Sequence, residues 1–306
     1  MIVVAGEALI DLIVRPDGGL AAIPGGGPYN TARTIARLGG SVTFLGRIST
    51  DHFGRVLRAD LARDGVAANG VVATDDPTTL AVAEIGEGGV ARYHFYVDGT
   101  SAVGLTAEDA STMVAVSATA LHVGTLGLVL EPIGATIERL VRESDPACLV
   151  MLDPNCRPTA TRDPVAFRAR IQRIARRADV VKLSEDDLRF LAPDEAADAA
   201  IDRFLGLGVR VVLCTHGDGD VEVWTRSGRR TVPVPKVDVV DAVGAGDAFG
   251  GGFLASWTAG GHGRDDLVSM DLVRESVRVA VRVAALSCAR AGAQAPTLAE
   301  LEAFPG

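Results

Sequence analysis

Apolar and polar positions along the chain form blocks that predict strands and helices in alternation. Apolar runs at residues 2–5 and 42–45 are typical of buried parallel strands, and helical apolar spacing follows them at residues 31–38 and 51–63. The alternation becomes regular after residue 120. Further strands are predicted at residues 71–72, 120–123, 148–152, 180–183 and 209–214, and further helices at residues 132–142, 164–177 and 185–191. This order predicts an α/β fold of three layers, α/β/α, with a mostly parallel central sheet.

One segment, residues 79–98, interrupts the alternation. Residues 80–85 and 90–97 predict two strands around a glycine-rich turn at residues 86–89, which is the pattern of a hairpin. We expect a small separate sheet, joined by residues 9–14. Residues 9–22 and 74–102 are predicted to form it, within a single domain that covers residues 1–306. Arg92, His94 and Tyr96 share one face of the second strand, which suits a lid over a polar ligand and equally an exposed or dimerising face.

The last third of the chain predicts an antiparallel hairpin and two long helices. Residues 221–224 and 230–232 flank a turn and predict the hairpin. Phe249, Phe253 and Trp257 recur at helical spacing, and three glycines at positions 250–252 each cost that helix roughly 1 kcal/mol relative to alanine. We therefore expect another element to pack closely against it. A second helix, at residues 266–289, is apolar nearly all round and is predicted to be buried.

Composition and charge narrow the class of protein. The chain has 306 residues, of which 48% are hydrophobic, so it can fill a sizeable core. Its formal net charge of −9 argues against nucleic-acid binding. No apolar run is long enough to span a bilayer, and Glu7 and Asp11 make the first residues a poor signal peptide. The four cysteines form no metal-ligand pattern, so we expect free thiols and a cytoplasmic enzyme.

The strongest candidate chemistry lies at residues 241–253. Gly244, Ala245 and Gly246 precede a predicted helix, so their N–H groups and the helix dipole can hold a phosphate. Asp247 then places a carboxylate at a site built for anions. That arrangement is favourable when a substrate hydroxyl lies between the carboxylate and the phosphate and gives up its proton, which is what a phosphotransferase requires.

Polar loops follow several of the predicted strands. They are residues 153–157, 182–185 and 215–217, and a glycine-rich loop at residues 24–30 opens the first helix. Ligands bind at the carboxyl ends of parallel strands, so these loops should meet at one site. The glycines do not have the spacing of a dinucleotide-binding fingerprint. From its pattern alone, Asp11 is typical of a solvated carboxylate at a strand edge.

The motifs resemble those of the ribokinase-like, or pfkB-type, family of ATP-dependent carbohydrate kinases, and the resemblance covers nearly the whole chain. DAVGAGDAFGGGF matches the family signature D-T-x-G-A-G-D-x-F-x-G-x-F at all but one position, and PGGGPYNTARTIARLGG matches the N-terminal signature. Five further segments look most like the fructokinase and 2-keto-3-deoxygluconate kinase branch. They are GEALIDL, FYVDGTSA, LHVGTLGLVLEP, LDPNCRP and AALSCARAGAQAPT.

The resemblance implies a role for individual residues. It identifies Asp247 as the catalytic base and residues 244–246 as the anion hole. It assigns Asp11, Gly26, Gly27 and Asn30 to the sugar hydroxyls. The phosphosugar kinases of the family commonly carry lysine where this chain has Gly27, so a sugar or sugar acid without a phosphate is favoured.

The resemblance also implies a nucleotide site, metal ions and a dimer. Glu185 matches the acidic residue of the N-x-x-E motif that organises Mg²⁺ through water, and Thr215 and Gly217 match a nucleotide-contacting loop. Lys182 replaces the asparagine of that motif and can contact phosphate as a point charge. A K⁺ site is implied beside Asp241, where alanine at position 242 departs from the usual threonine. The lid sheet of the family often also forms a homodimer interface.

The leading hypothesis is phosphorylation of a primary hydroxyl of fructose by ATP, with Mg²⁺. Alternatives in the same family are a 2-keto-3-deoxygluconate kinase, a ribokinase and a nucleoside kinase. Arg92 and Arg157 are candidates for substrate binding, because an arginine could pair with the carboxylate of a sugar acid. A surface or phosphate-facing arginine is the alternative for each. A different class is also open, namely a binding regulator that has lost catalysis, although the intact Asp247 and its loop argue against it.

Overall fold

The strands of the computed structural model, which describes residues 1–86, 91–111 and 118–305, form two sheets. In chain order they are β1 (Ile2–Ala5), β2 (Leu9–Val14), β3 (Leu20–Gly25), β4 (Val42–Ser49), β5 (Val71–Thr74), β6 (Leu80–Ile85), β7 (Ala91–Tyr96), β8 (Ala120–Gly124), β9 (Leu149–Asp153), β10 (Val180–Ser184), β11 (Val211–His216), β12 (Gly219–Thr225) and β13 (Gly228–Val232).

The large sheet has the order β13-β12-β11-β10-β9-β8-β1-β4-β5. Two pairs at one edge, β11 with β12 and β12 with β13, are antiparallel, and all the other neighbouring strands are parallel. This sheet confirms the predicted α/β class. β1 and β8 are neighbours, with β4 and β5 on one side of them and β9 to β13 on the other. The order of the strands therefore reverses at β1, and the carboxyl ends of β1 and β8 lie next to each other.

The small sheet has the order β3-β2-β6-β7 and confirms the predicted lid sheet. Its strand β3 was not predicted as a strand, because the glycines at 18, 19 and 25 and the proline at 24 are typical of a loop. Pairing with β2 overrides that preference. The predicted turn at residues 86–89 and Val90 lie outside the described residues, apart from Gly86. The division into one domain and the lid bounds stay predictions.

Helices cover both faces of the large sheet. They are α1 (Gly27–Arg37), α2 (His52–Asp64), α3 (Ile133–Glu143), α4 (Pro164–Ala175), α5 (Glu185–Leu191), α6 (Ala197–Leu207), α7 (Ala245–Ala259), α8 (Met270–Cys288) and α9 (Leu298–Ala303), with short 3₁₀ turns at Ala102–Gly104, Thr125–Leu128 and Asp265–Val268. One core joins the sheet to α1, α2, α7, α8 and α9, and the other joins it to α3, α4, α5 and α6. In the described ranges no helix is long and apolar enough to cross a membrane.

Two helical predictions need correction. α6 was not predicted, because it starts without a capping side chain and its alanine-rich first turn carries little apolar signal. The last long helix, α8, starts at Met270 rather than near residue 266 and is not apolar all round. Its residues Asp271, Glu275 and Arg278 are exposed, so it presents one polar face to solvent.

The glycines of α7 allow the close packing that the sequence predicted. A Cβ atom at Gly251 would lie 2.7 Å from Cβ of Thr34 in α1, and one at Gly252 would lie 3.1 Å from Cα of Ala280 in α8. Larger side chains would push these helices apart. α7 is thus held between two neighbours, and its first turn is fixed at the edge of the sheet where ligands bind.

Candidate active site

A cavity of about 460 Å³ lies between the carboxyl edge of the large sheet and the lid. It is bounded by the starts of α1 and α7, the loop after β9, and one face of the lid sheet. Most of the residues predicted for catalysis and sugar binding meet there. They are Asp11, Gly26, Gly27, Asn30, Arg157, Gly244, Ala245, Gly246 and Asp247.

Asp247 lies in the first turn of α7 and is buried. The side-chain amide of Asn30 donates to its Oδ2 at 2.9 Å, which fixes the orientation of the carboxylate. Burial raises the pKa of Asp247 to about 7; the hydrogen bond from Asn30 opposes this shift, and the carboxylate of Asp153 adds to it. A carboxylate with a pKa near neutrality can both accept and release a proton at physiological pH.

The turn that precedes Asp247 is shaped to hold an anion. Gly244 has a φ of 76°, a left-handed conformation that suits glycine. The N–H groups of Gly246 and Asp247 donate to none of the residues that the structure describes, as is usual at the start of a helix. The N–H of Ala245 differs, because it donates to the carbonyl of Ala242 at 3.2 Å. The role of residues 244–246 as an anion hole stays a prediction, and the N–H groups of Gly246 and Asp247 in this turn have no partner among the described residues.

A buried ion pair lies behind this turn. Nζ of Lys182 is 3.0 Å from Oδ2 of Asp153, and both side chains are at most 5% exposed. The same Nζ would lie 2.8 Å from a Cβ atom at Gly246, so the glycine leaves room for the ammonium group. Burial disfavours the charged form of Lys182 and by itself would lower its pKa. The negative charges of Asp153 and Asp187 outweigh this effect of burial, so the pKa of Lys182 is raised. Lys182 does not line the cavity, and its contact with phosphate stays a prediction.

Asp11 and Arg157 also line the cavity. Asp11 is on the face of β2 that points into the cleft, and burial raises its pKa to about 6, against the charge of Arg157. One guanidinium nitrogen of Arg157, Nη1, donates to the side-chain oxygen of Asn155 at 2.6 Å and to its carbonyl at 3.0 Å. Its Nε and Nη2 donate to no residue in the described part of the chain. They are available to a ligand.

Arg92 does not belong to this site. In β7 the residues Tyr93 and Phe95 line the cavity, since they pair with Ala83 and Ala81 on the cleft face of β6. Successive side chains of a strand point to opposite faces of the sheet, so Arg92, His94 and Tyr96 point away from the cleft. The structure thus places Arg92 outside this cavity, and its role in substrate binding stays a prediction. The sequence shows which residues share a face but not which face is turned inward.

Of the residues predicted for nucleotide and metal binding, only Gly246 lines the cavity. Thr215 and Gly217 follow the end of β11, and Glu185 begins α5 beside them. Oε1 of Glu185 is 2.8 Å from Nδ1 of His216, and this hydrogen bond lowers the pKa of Glu185. Within residues 1–86, 91–111 and 118–305, no three His, Cys, Asp or Glu side chains are grouped to hold a metal ion directly. The roles of Glu185, Thr215 and Gly217 stay predictions.

Asp241 joins two loops beside the phosphate-binding turn. Its Oδ1 accepts the N–H of Val243 at 2.9 Å, and its Oδ2 accepts the N–H of Gly292 at 2.9 Å. Each carboxylate oxygen keeps a lone pair, so a cation could still bind there.

Several cavity residues were not predicted individually from the sequence. Glu7, Thr125, Tyr93 and Phe95 line the cavity but were not assigned to it, and Asn155 was placed there only as part of the loop at residues 153–157. Glu7, Thr125 and Asn155 each lie one or two residues after the last residue of a parallel strand. That position is the signal that could have identified them, because ligands bind at the carboxyl ends of parallel strands. Tyr93 and Phe95 carry no such signal, because the lid sheet is antiparallel at that edge.

The sequence matches a known family over nearly its whole length. Residues 1–300 match the pfkB family of carbohydrate kinases. The chain is 35% identical over 260 residues to a fructokinase of Rhizobium leguminosarum bv. trifolii, covering 84% of this chain and 79% of that protein. It is 30% identical over 307 residues to a fructokinase of Vibrio alginolyticus, covering 99% and 98%.

Two solved structures have the same architecture. A fructokinase of Xylella fastidiosa with bound ATP has a TM-score of 0.91 and 29% identity, covering 99% of this chain and 97% of that one. A double mutant of the fructokinase of Vibrio cholerae O395, with bound fructose, ADP and potassium ion, has a TM-score of 0.87 and 27% identity, covering 100% and 98%.

Proposed function

The chain belongs to the pfkB family of carbohydrate kinases, and from this membership we propose that it transfers the γ-phosphoryl group of ATP to a primary hydroxyl of fructose. The observation that carries the proposal is the position of Asp247. A buried carboxylate with a raised pKa lies in a sugar-sized cavity and directly follows a turn with free N–H groups. A base and an anion site are thus adjacent, as in-line phosphoryl transfer requires.

In the proposed reaction, Asp247 accepts the proton of the sugar hydroxyl while the hydroxyl oxygen attacks the γ-phosphorus. The bond from phosphorus to the bridging oxygen breaks, and ADP leaves with that electron pair. The N–H groups of Gly246 and Asp247 would stabilise the negative charge on the transferred group. Asn30 holds Asp247 towards the cavity by its 2.9 Å hydrogen bond.

The cavity favours a neutral polyol. Asp11 and Asp247 are hydrogen-bond acceptors when ionised, and Oδ1 of Asn30 is a buried acceptor without a donor among the described residues. Sugar hydroxyls would supply the missing donors. The identity with fructokinases supports fructose as the sugar. A second candidate, 2-keto-3-deoxygluconate, is favoured by the free Nε and Nη2 of Arg157, which could bind a carboxylate.

The proposal includes ATP, Mg²⁺ and K⁺. The free N–H groups of the turn suit a nucleotide phosphate, with Lys182 behind them and Thr215 and Gly217 beside the nucleotide. Glu185 is exposed and its pKa is lowered, so it is ionised and suits a hydrated Mg²⁺ ion, which would neutralise phosphate charge. Asp241 would hold K⁺, and no step depends on that ion.

The outer face of the lid supports a homodimer. Leu20 of β3 and Tyr96 of β7 are 65% and 61% exposed, and both lie on the face turned away from the cavity. They lie on the two edge strands of this face, which is the surface that the proposed homodimer would bury. We place the protein in the cytoplasm, as expected of a kinase that uses ATP.

The raised pKa of Asp247 predicts the pH dependence of the reaction. The base must be deprotonated, and the proton binds below a pKa of about 7, so activity should be lost on the acid side. We expect kcat/KM for fructose to fall roughly tenfold per pH unit below about pH 7. Measurement from about pH 5 to about pH 9 checks this. A profile that stays flat down to about pH 5 would contradict the base assignment.

A panel of substrates tests the proposed function. ADP formation is measured by a coupled assay with fructose, tagatose, ribose, 2-keto-3-deoxygluconate and nucleosides at fixed ATP and Mg²⁺, and the highest kcat/KM is expected for fructose. Binding of fructose and ATP without turnover of any compound would instead indicate a regulator without catalysis.

Arg157→Ala separates the two sugar candidates. If the sugar acid is the true substrate, the variant should lower kcat/KM for 2-keto-3-deoxygluconate much more than kcat/KM for fructose. We expect the loss for the acid to exceed the loss for fructose at least about tenfold, since a charge-assisted pair is removed. Arg162→Ala, at an arginine that is 83% exposed and outside the cavity, is the control. Equal losses for both sugars would show that Arg157 does not bind a carboxylate.

A further inference from the structure

Glu7 is a buried carboxylate that the proposed reaction does not use. It lies two residues after the end of β1, is 3% exposed and lines the cavity. No lysine, arginine or histidine of the described residues forms an ion pair with it. Burial raises the pKa of Glu7, and the hydrogen bonds from Thr125, Gly127 and Gly27 oppose this shift. A buried carboxyl group without a counter-ion is costly unless hydrogen bonds compensate it. The contacts that Glu7 makes with these three donors are therefore important for its stability in this position.

Three donors from two separate segments meet on Glu7. Its Oε1 accepts the N–H of Gly27, the first residue of α1, at 3.2 Å, and also the hydroxyl of Thr125. Its Oε2 accepts the N–H of Gly127 at 2.9 Å. Thr125 and Gly127 belong to the 3₁₀ turn that follows β8. One side chain from the loop after β1 thus holds together the start of α1 and the turn that follows β8.

Those segments form the floor of the sugar cavity. Thr125 has a φ of 54°, a left-handed conformation that is unfavourable for a β-branched residue, so it needs contacts that hold it in place. Gly27 faces the base directly, because a Cβ atom there would lie 3.1 Å from Oδ1 of Asp247. The gap between α1 and Asp247 therefore depends on where Glu7 holds Gly27.

We propose that Glu7 is a positioning residue, which fixes Gly27 and Thr125 so that the acceptor hydroxyl of the sugar reaches Asp247. The inference rests on the proposed function, since it assigns Glu7 to the sugar side of the same reaction. It concerns neither the nucleotide nor the phosphate-binding turn. The effect of changing Glu7 should therefore fall on the sugar and spare ATP.

Glu7→Gln is the direct test. The amide has one acceptor oxygen, and its NH₂ group would face an N–H that now donates to Glu7. We expect kcat/KM for the sugar to fall at least about tenfold, mainly through a higher KM, while the KM for ATP changes less than about twofold. Thr125→Val removes one of the same hydrogen bonds and keeps the shape, so the two substitutions together should be less than additive. Glu275→Gln, at an exposed position in α8, is the control.

The outcomes are distinct. Thermal unfolding establishes that each variant is folded, and Thr125→Val carries the test if Glu7→Gln is not. A folded Glu7→Gln enzyme with a sugar KM within about twofold of the wild type would overturn the inference, as would equal increases of both KM values. If the wild type turns over none of the sugars, the proposed function fails and this inference fails with it. If the wild type turns over a sugar and the variants have the same kinetic constants as the wild type, the inference is overturned and the proposed function still stands.

Discussion

Asp247→Asn should lower kcat for fructose by at least about 10²-fold, the usual scale for the loss of a general base. The substitution keeps the size of the side chain and leaves an oxygen that can accept the hydrogen bond from Asn30. It removes the group that takes the proton. ATP binding should be retained, because the N–H groups of the turn are unchanged. Initial rates and calorimetric ATP binding measure the two effects.

Asp271→Asn is the matched control for that variant. Asp271 also lies in the first turn of a long helix, but its side chain is 93% exposed and remote from the cavity. The same chemical change there should leave kcat within about twofold, as is usual for a surface position. If Asp247→Asn keeps a kcat close to that of the wild type, Asp247 is not the base and the proposed mechanism is wrong. If both variants lose activity together, the loss is not specific to the cavity.

The parts of the fold and site that were predicted correctly have local signals. β1 is a short apolar run, and Asp247 is part of a small-residue turn before a periodic helix, so each can be recognised from adjacent residues. The meeting of Asp11, Asn30 and Asp247 was predicted less directly, from the rule that parallel strands present their carboxyl ends at one edge and from the family resemblance.

The parts that were missed depend on tertiary structure. The alternation of side chains along β7 shows that Arg92, His94 and Tyr96 share one face. It does not show which face of the lid sheet covers the cavity, because that depends on how the lid packs in the folded protein. The hydrogen bond from the N–H of Ala245 to the carbonyl of Ala242 was not predicted, because it depends on the turn conformation at Gly244. The ion pair of Lys182 with Asp153 was not predicted either, because the two residues are far apart in sequence. Such pairings appear only when the chain is folded.

The buried pair of Lys182 and Asp153 is the second site where we expect a large effect. Both side chains are at most 5% exposed, and Oδ1 of Asp153 has no other partner among the described residues. Lys182→Met would leave Asp153 as an unpaired buried carboxylate. Breaking a buried pair in this way typically costs about 3–5 kcal/mol in the free energy of unfolding. Denaturant unfolding near neutral pH measures that loss.

The combination of Lys182→Met with Asp153→Leu should restore most of the free energy of unfolding, because replacing both partners of a buried pair by apolar residues is often close to neutral. Activity should not return with it, since the ammonium behind Gly246 would still be absent from the phosphate-binding turn. Arg139→Met, which breaks an exposed pair with Glu143 in α3, is the control and should cost less than about 1 kcal/mol in the free energy of unfolding.

A double variant as unstable as Lys182→Met would show that the pair is not what stabilises this region. A double variant with wild-type kcat would show that the turn binds phosphate without help from Lys182, and the N–H groups of Gly246 and Asp247 would then account for the anion site alone.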